Sequence, residues 1–310
     1  MSIKALKKII LCKAEVTQGV DAVPVVGSDA LLALNANVTP ANIRYIDRNA
    51  AVPFFGNSGQ INVGETMQLE YDIEIAGAGA VDSAPGYAAA LLGCATAETI
   101  IPTTGPVTYN VVSDSEKSVT QYFYWEDQLH KMLGAFGSVE LRFSEANVPL
   151  MHFTWEGIYG GITTSAPGSP DLSAFQDALA MTKANTTFTL HGYAAPLASL
   201  TISQNNTNVY KNRPNSEKMH YTGRSSTGSV TIELPKIAVK NFVEICRSGT
   251  TGALALVHGT TAGNKVLIDA PNVQLTNPRY SEADNLAELT MDMNFKYSTA
   301  GNDEWTFKTQ

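Results

Sequence analysis

A chain of 310 residues, 44% hydrophobic and only 16% charged, has the composition of a globular protein long enough for two ordinary domains. Its formal net charge of -8 argues against general nucleic-acid binding, which draws on clustered Lys and Arg, but allows a surface past which nucleic acid slides. No run approaches the roughly eighteen apolar residues of a membrane helix, and three distant cysteines (Cys12, Cys94, Cys246) without a CxxC suit neither a disulfide framework nor zinc.

The chain opens with MSIKALKKIILCK, basic and then apolar. Its apolar part, Ile9 to Leu11, is too short for an export signal and is broken by Lys13 and Glu15, so a short amphipathic arm is expected. From Ile46 to Glu65 the pattern fades. A loop that long is usually functional, and Phe54 and Phe55 beside Gly56 would suit docking to a partner protein.

The stretch QLEYDIEIA then alternates, with Leu69, Tyr71, Ile73 and Ile75 on one face and Glu70, Asp72 and Glu74 on the other. After it, AGAGAVDSAPGYAAALLGCA reads as a glycine turn and a small-residue helix opened by Ala84-Pro85. Strand, GxG and helix mimic a dinucleotide loop, but Asp82 stands where the third glycine belongs and would repel a pyrophosphate. A flexible connection is the expectation. Two more strands follow in VTQYFYWEDQLHKML, and another pair in GSVELRFSEANVPLMHFTWEGIY.

TTSAPGSPDLSAF, from Thr163, is rich in Ser, Pro and Gly and reads as a linker. Beyond it the first half recurs. GSVTIELPKIA matches MQLEYDIEIAG, AVKNFVEICRSG matches the first helix, and NVQLTNPRYSEADNLAELTMDMNFKY matches the Ser-Glu-Ala hairpin. Phe153-Thr154 aligns with Leu289-Thr290, an offset of 289 − 153 = 136, so a domain is duplicated. The second copy has LPKIAVK in place of the glycine turn, and its own weakly patterned loop runs from Tyr210 to Thr227. The expected fold is α+β, mainly β: two tandem copies, each an antiparallel unit of strands, one short helix and further strands. The expected boundaries are 1–162 with the arm, a linker over 163–184, and 185–310.

No catalytic, cofactor or metal site is expected. The five histidines lack HExxH or HxH spacing, and there is no GxSxG. The informative pattern is the acidic one. Glu140 and Glu156 continue the alternation of Glu70, Asp72 and Glu74, and Glu233, Glu288 and Asp292 repeat it in the second copy, with Arg142 and Lys296 as exceptions. Neighbouring carboxylates on a strand face repel, so that face must be well hydrated.

This succession of elements resembles the tail tube proteins of long-tailed, non-contractile bacteriophages. The resemblance is carried by MQLEYDIEIAGAG with APGYAAALLGCA, by SEANVPLMHFTWEGIYGG and its linker, and by TGSVTIELPKIAVKNFVEICRSGTTGALALVHGTTAGNKV. APNVQLTNPRYSEADNLAELTMDMNF and the closing AGNDEWTF extend it over most of the chain. The resemblance implies two tandem tail-tube-like β-sandwich or barrel domains, each with one flanking helix, six such domains standing in a ring and the rings stacked into the conduit for DNA ejection. With two domains per chain, three copies would complete a pseudo-hexameric ring.

On this reading Glu70, Asp72, Glu74, Glu140, Glu156, Glu233, Glu288 and Asp292 face the lumen, with Arg142 and Lys296 neutralised across strands. Arg48, Phe54, Phe55, Asn57, Arg213, Lys218 and Arg224 lie in loops that stack ring on ring, with the arm and linker. Implied partners are further copies of the chain and the tape measure, tail terminator and baseplate proteins; DNA passes without specific binding. No membrane is involved, and the implied location is the virion tail, assembled in the host cytoplasm. The alternatives are a related tail terminator, baseplate hub or secretion-system tube, or a ligand-binding β-domain.

Overall fold

Period-two alternation becomes strand almost everywhere it occurs. The computed structural model describes residues 3–48 and 50–310; Met1 and Ser2 of the expected arm lie outside that range. In the first half β1 (Lys8–Ala14) and β2 (Ala30–Leu31) precede a long hairpin of β3 (Leu34–Asp47) and β4 (Gln60–Glu74). Helix α1 (Ala88–Gly93) follows, then β5 (Thr96–Ile100), β6 (Val107–Val111), β7 (Val119–Trp125), β8 (Gln128–Ser144) and β9 (Leu150–Thr164).

The second half has β10 (Thr186–Leu190), β11 (Leu197–Ser203), β12 (Asn206–Arg213), β13 (Ser216–Arg224) and β14 (Thr227–Glu233). Helix α2 (Phe242–Ser248) comes next, then β15 (Thr251–His258), β16 (Val266–Ala283), β17 (Leu286–Phe295) and β18 (Thr306–Thr309). The fold is mainly β with two short helices, as the alternation predicts.

Six strands lie in the order β3-β4-β9-β8-β7-β1 in the first half and β11-β14-β17-β16-β15-β10 in the second. One irregularity recurs as well: the first register slip of β3, between Leu34 and Asn37, matches that of β11 between Leu197 and Ser199. The two sets share one sheet. Past the end of β7, the edge of β8 takes β11, with Leu200 opposite Phe143 and Ser203 opposite Glu140. A second seam forms where β18 pairs with both β16 and β6.

Beneath the sheet Tyr71, Phe153 and Trp155 stack with ring centroids 5.6 and 6.0 Å apart, fully buried beside Val139, Leu141 and Met151. The apolar layer continues through Leu200, Ile202, Val230, Ile232, Leu289 and Met291 of the second half. Each such side chain contributes about 1.5–3 kcal/mol by leaving water. One core thus spans both halves.

Five expectations change. The predicted arm is strand β1, with Ile10, Leu11 and Cys12 buried between β2 and β7. A strand buried on both faces does not alternate, which is why it reads as an amphipathic scrap. The supposed loop at Tyr210 to Thr227 is mostly the β12–β13 hairpin, held by Tyr210 and Met219 packed on Phe136. The helix expected from Ala84-Pro85 begins only at Ala88, after a turn closed by Ala88 N–H to the Pro85 carbonyl, 2.9 Å.

The fourth is the glycine turn, which is no free connector. Gly77 N–H donates to the Asn264 side chain (2.7 Å) and Gly79 N–H to the Gly263 carbonyl (2.8 Å). A Cβ on Gly77 would come within 2.6 Å of the Asn264 Cα, so glycine lets the two halves touch backbone to backbone.

The segment after β9 is a strap rather than a spacer. Met181 is buried and exchanges backbone hydrogen bonds with Ala146 and Asn147, and Phe175 lies against Gly86.

Candidate functional site

The run β3-β4-β9-β8-β11-β14-β17-β16 is an unbroken eight-stranded band with two unlike faces. Its ladders set side chains in rows. Asp72, His152, Glu140, Ser203, Thr227 and Asn294 form one, crossing from β4 to β17. Glu74, Leu150, Arg142, Thr201, Ser229 and Asp292 form the next. Because strand side chains alternate, the residues between these rows point into the core. All eight carboxylates named from the sequence therefore share one face of this band, filled in by Ser and Thr.

Their environments differ. Glu70 and Glu233 are exposed, Glu74, Glu140, Glu156, Glu288 and Asp292 are half-buried, and Asp72 is buried. Glu233 stands directly opposite Glu288, a like-charge pair that only a hydrated face tolerates. Glu156 accepts from the Thr66 hydroxyl at 3.1 Å. Glu140 accepts from Arg142 Nε and from the Ser203 hydroxyl, both at 2.5 Å, tying β8 to β11. Arg142 is thus paired chiefly along its own strand rather than across strands as expected, with Asp72 of β4 a further 4.0 Å contact. Arg279 plays the same role in the second half, which the sequence pattern did not reveal: it grips Asp292 at 2.6 and 3.1 Å. Arg279 and then Asn277 hold the Asp292 carboxyl below its usual value.

Asp72 is the most constrained. Burial alone would raise its pKa, but Asn35 (2.8 Å), His152 (2.7 Å) and Arg142 outweigh it and hold the carboxyl below the ordinary Asp value. A depressed carboxylate stabilises the fold above its unfolded pKa and loses that contribution as pH falls through the folded one. Wild type should therefore exceed Asp72→Asn in urea midpoint at pH 7, with the gap closing as pH falls through the acidic range. A gap that stays constant would show that the ionised form is not what matters.

The residues expected in stacking loops separate into two groups. Arg48, Phe54, Phe55 and Asn57 lie together in the connection between β3 and β4, exposed; Phe54 and Phe55 are 70% and 107% exposed. Arg213 ends β12 and Lys218 lies on β13 opposite Lys211, both exposed at the tip of the second hairpin. The two hairpins lie side by side, with Arg44 5.0 Å over the Tyr210 ring and Asn212 donating to the Val63 carbonyl. Arg224 is different: it is buried against Glu304 and bonds inward to Val112 and Asn302.

The band has an open edge at each end. Among the described residues, strand β3 pairs only with β4, and β16 beyond Gln274 pairs only with β17. Among the described residues no cluster of His, Cys, Asp or Glu could hold a metal ion, and no helix is long and apolar enough to cross a membrane. A family model described as phage tail tube protein matches residues 6–294. None of the curated proteins matches the chain.

Proposed function

From the membership of this chain in the phage tail tube protein family, which makes it a structural component of the virion tail, we propose that three copies form each ring of the tube. Each half of the chain acts as one tube domain, with boundaries near 1–162 and 185–310 and the strap between them, so a ring has pseudo-sixfold symmetry. The observation that carries this reading is the repeated strand order with β11 seated on β8, which leaves one open edge at either end of the band. An open edge is a pairing hazard, and closure with further copies removes it. Two domains already joined edge to edge are a third of such a closed ring.

The polar face lines the channel on this reading, and its carboxylates repel the phosphate backbone of DNA leaving the virion. The exposed tip around Phe54 and Phe55 and the Arg213–Lys218 tip meet the adjoining ring. Tape measure, terminator and baseplate proteins contact the tube, which assembles in the host cytoplasm.

Electron microscopy of the concentrated protein tests the assembly. Hollow tubes are expected, with end-on averages showing six similar lobes in three pairs. Dispersed monomers at every concentration, or another number of lobes, would overturn it.

A further inference from the structure

The joint inside the chain is a template for the joint between chains. Strand β11 meets β8 antiparallel, with Thr201 opposite Arg142. Gln204 N–H donates to the Val139 carbonyl (3.0 Å), and Glu145 N–H to the Ala198 carbonyl (2.9 Å). Even-numbered residues of β11 after its register slip therefore turn their backbone groups toward β8, and Ile202 is one of them.

The repeat carries this geometry onto the open edges. Glu70 pairs with Thr154 and Asn37, while Thr231 pairs with Thr290 and Ser199. With Thr154 equivalent to Thr290, Asn37 corresponds to Ser199 and Thr39 to Thr201; Pro40, next along at the place of Ile202, opens a second register slip of β3, between Thr39 and Asn42, that β11 lacks. On the other edge Arg142 pairs with Leu150 and Ala283 with Leu286, each the last rung of its hairpin, so Ala283 corresponds to Arg142. The end of β16, from Asn277 to Ala283, is exposed throughout, including Tyr280 at 67%.

Two features weaken this second joint. Pro40 has no N–H to offer where Ile202 turns its backbone outward. Strand β16 also stops early, because a two-residue turn with Asp284 and Asn285 at positive φ closes its hairpin, whereas β8 runs on to Ser144.

We infer that β3 of one copy pairs antiparallel with the free edge of β16 of a second copy, Thr39 opposite Ala283, and that Pro40 guards this edge against premature closure in the free chain. The inference rests on the ring reading and names the strands that close the ring. Proline on an exposed edge is a common device against edge-to-edge pairing. Here it sits on an edge that must pair, but only in the growing tube.

Disulfide trapping tests the strand pair. Thr39 and Ala283 correspond to Thr201 and Arg142, a rung whose backbone groups turn away from each other, where side chains approach most closely and a disulfide fits. In a Cys246→Ser background, tubes carrying Thr39→Cys and Ala283→Cys should, once oxidised, yield covalent three-chain species on non-reducing gels. Tubes that form normally yet give no link from position 39 to 279, 281 or 283 overturn the pairing. A link to 279 or 281 alone keeps the strand pair and overturns the register. Wild type that forms no tube at any concentration counts against the ring reading itself.

The guard has its own test. Pro40→Ile, and Pro40→Thr as a polar control that restores the same N–H, should each lower the concentration at which tubes appear by about fivefold, the effect of one ordinary hydrogen bond. An unchanged or raised threshold in both variants removes the guard role.

Discussion

Replacing Arg224 with alanine is expected to cost about 3–5 kcal/mol of stability, read as a lowered guanidinium midpoint. The guanidinium lies 2.9 and 3.1 Å from the two Glu304 carboxylate oxygens, with side-chain exposures of 7% and 11%. It also donates to the Val112 carbonyl at 2.6 Å and to Asn302 at 2.8 Å. The alanine variant strands a buried carboxylate and leaves a carbonyl of the first half without its donor. Most of the cost comes from that orphaned charge and not from the pair's own attraction. The double variant Arg224→Met with Glu304→Leu should therefore lose less than Arg224→Ala alone. A double variant that is worse than the single would show that the geometry of the bridge, rather than its charge balance, holds the halves together.

The second large effect concerns passage of DNA. Changing Glu70, Glu74 and Glu233 together to Lys turns three negative charges per chain into positive ones on the proposed channel wall. Each is exposed or half-buried, and none has an ion-pair partner within 4 Å among the described residues. Asp72 is deliberately left alone, because its bonds to Asn35 and His152 would mix a folding defect into the result. Tubes should assemble at normal length, while DNA ejection from virions carrying the variant slows at least several-fold and regains speed as salt screens the attraction. Ejection at wild-type speed in low salt would take the polar face out of the channel.

Much of this architecture was legible in the sequence because period-two alternation survives wherever one face of a strand is wet. Glu70, Asp72 and Glu74 declared their face, and so did Glu288 and Asp292. The signal failed where both faces are covered: β1 carries Ile9 to Cys12 as a plain apolar run that periodicity cannot place. It failed again where long-range contacts decide. Nothing local marks Arg224 as a buried bridge rather than a loop cation, since Glu304 lies eighty residues on. The glycine turn misled for the same reason. Gly77 looks dispensable beside a copy without glycines, yet its purpose is the approach of Asn264 in the other half.

The pairing of β18 with β6 has a mechanical consequence. Strands β5 and β6 belong to the first half only, and the second half passes from α2 to β15 in two residues, so this clasp has no duplicate. In the proposed ring of three copies, seams inside a chain would carry the clasp and the Arg224 bridge, neither of which the proposed joint of β3 on β16 repeats. Stiff and compliant seams then alternate around the circumference. Such a ring would not dilate evenly under load; it would flex at three hinges, and a bulky passenger would distort its bore toward a triangle.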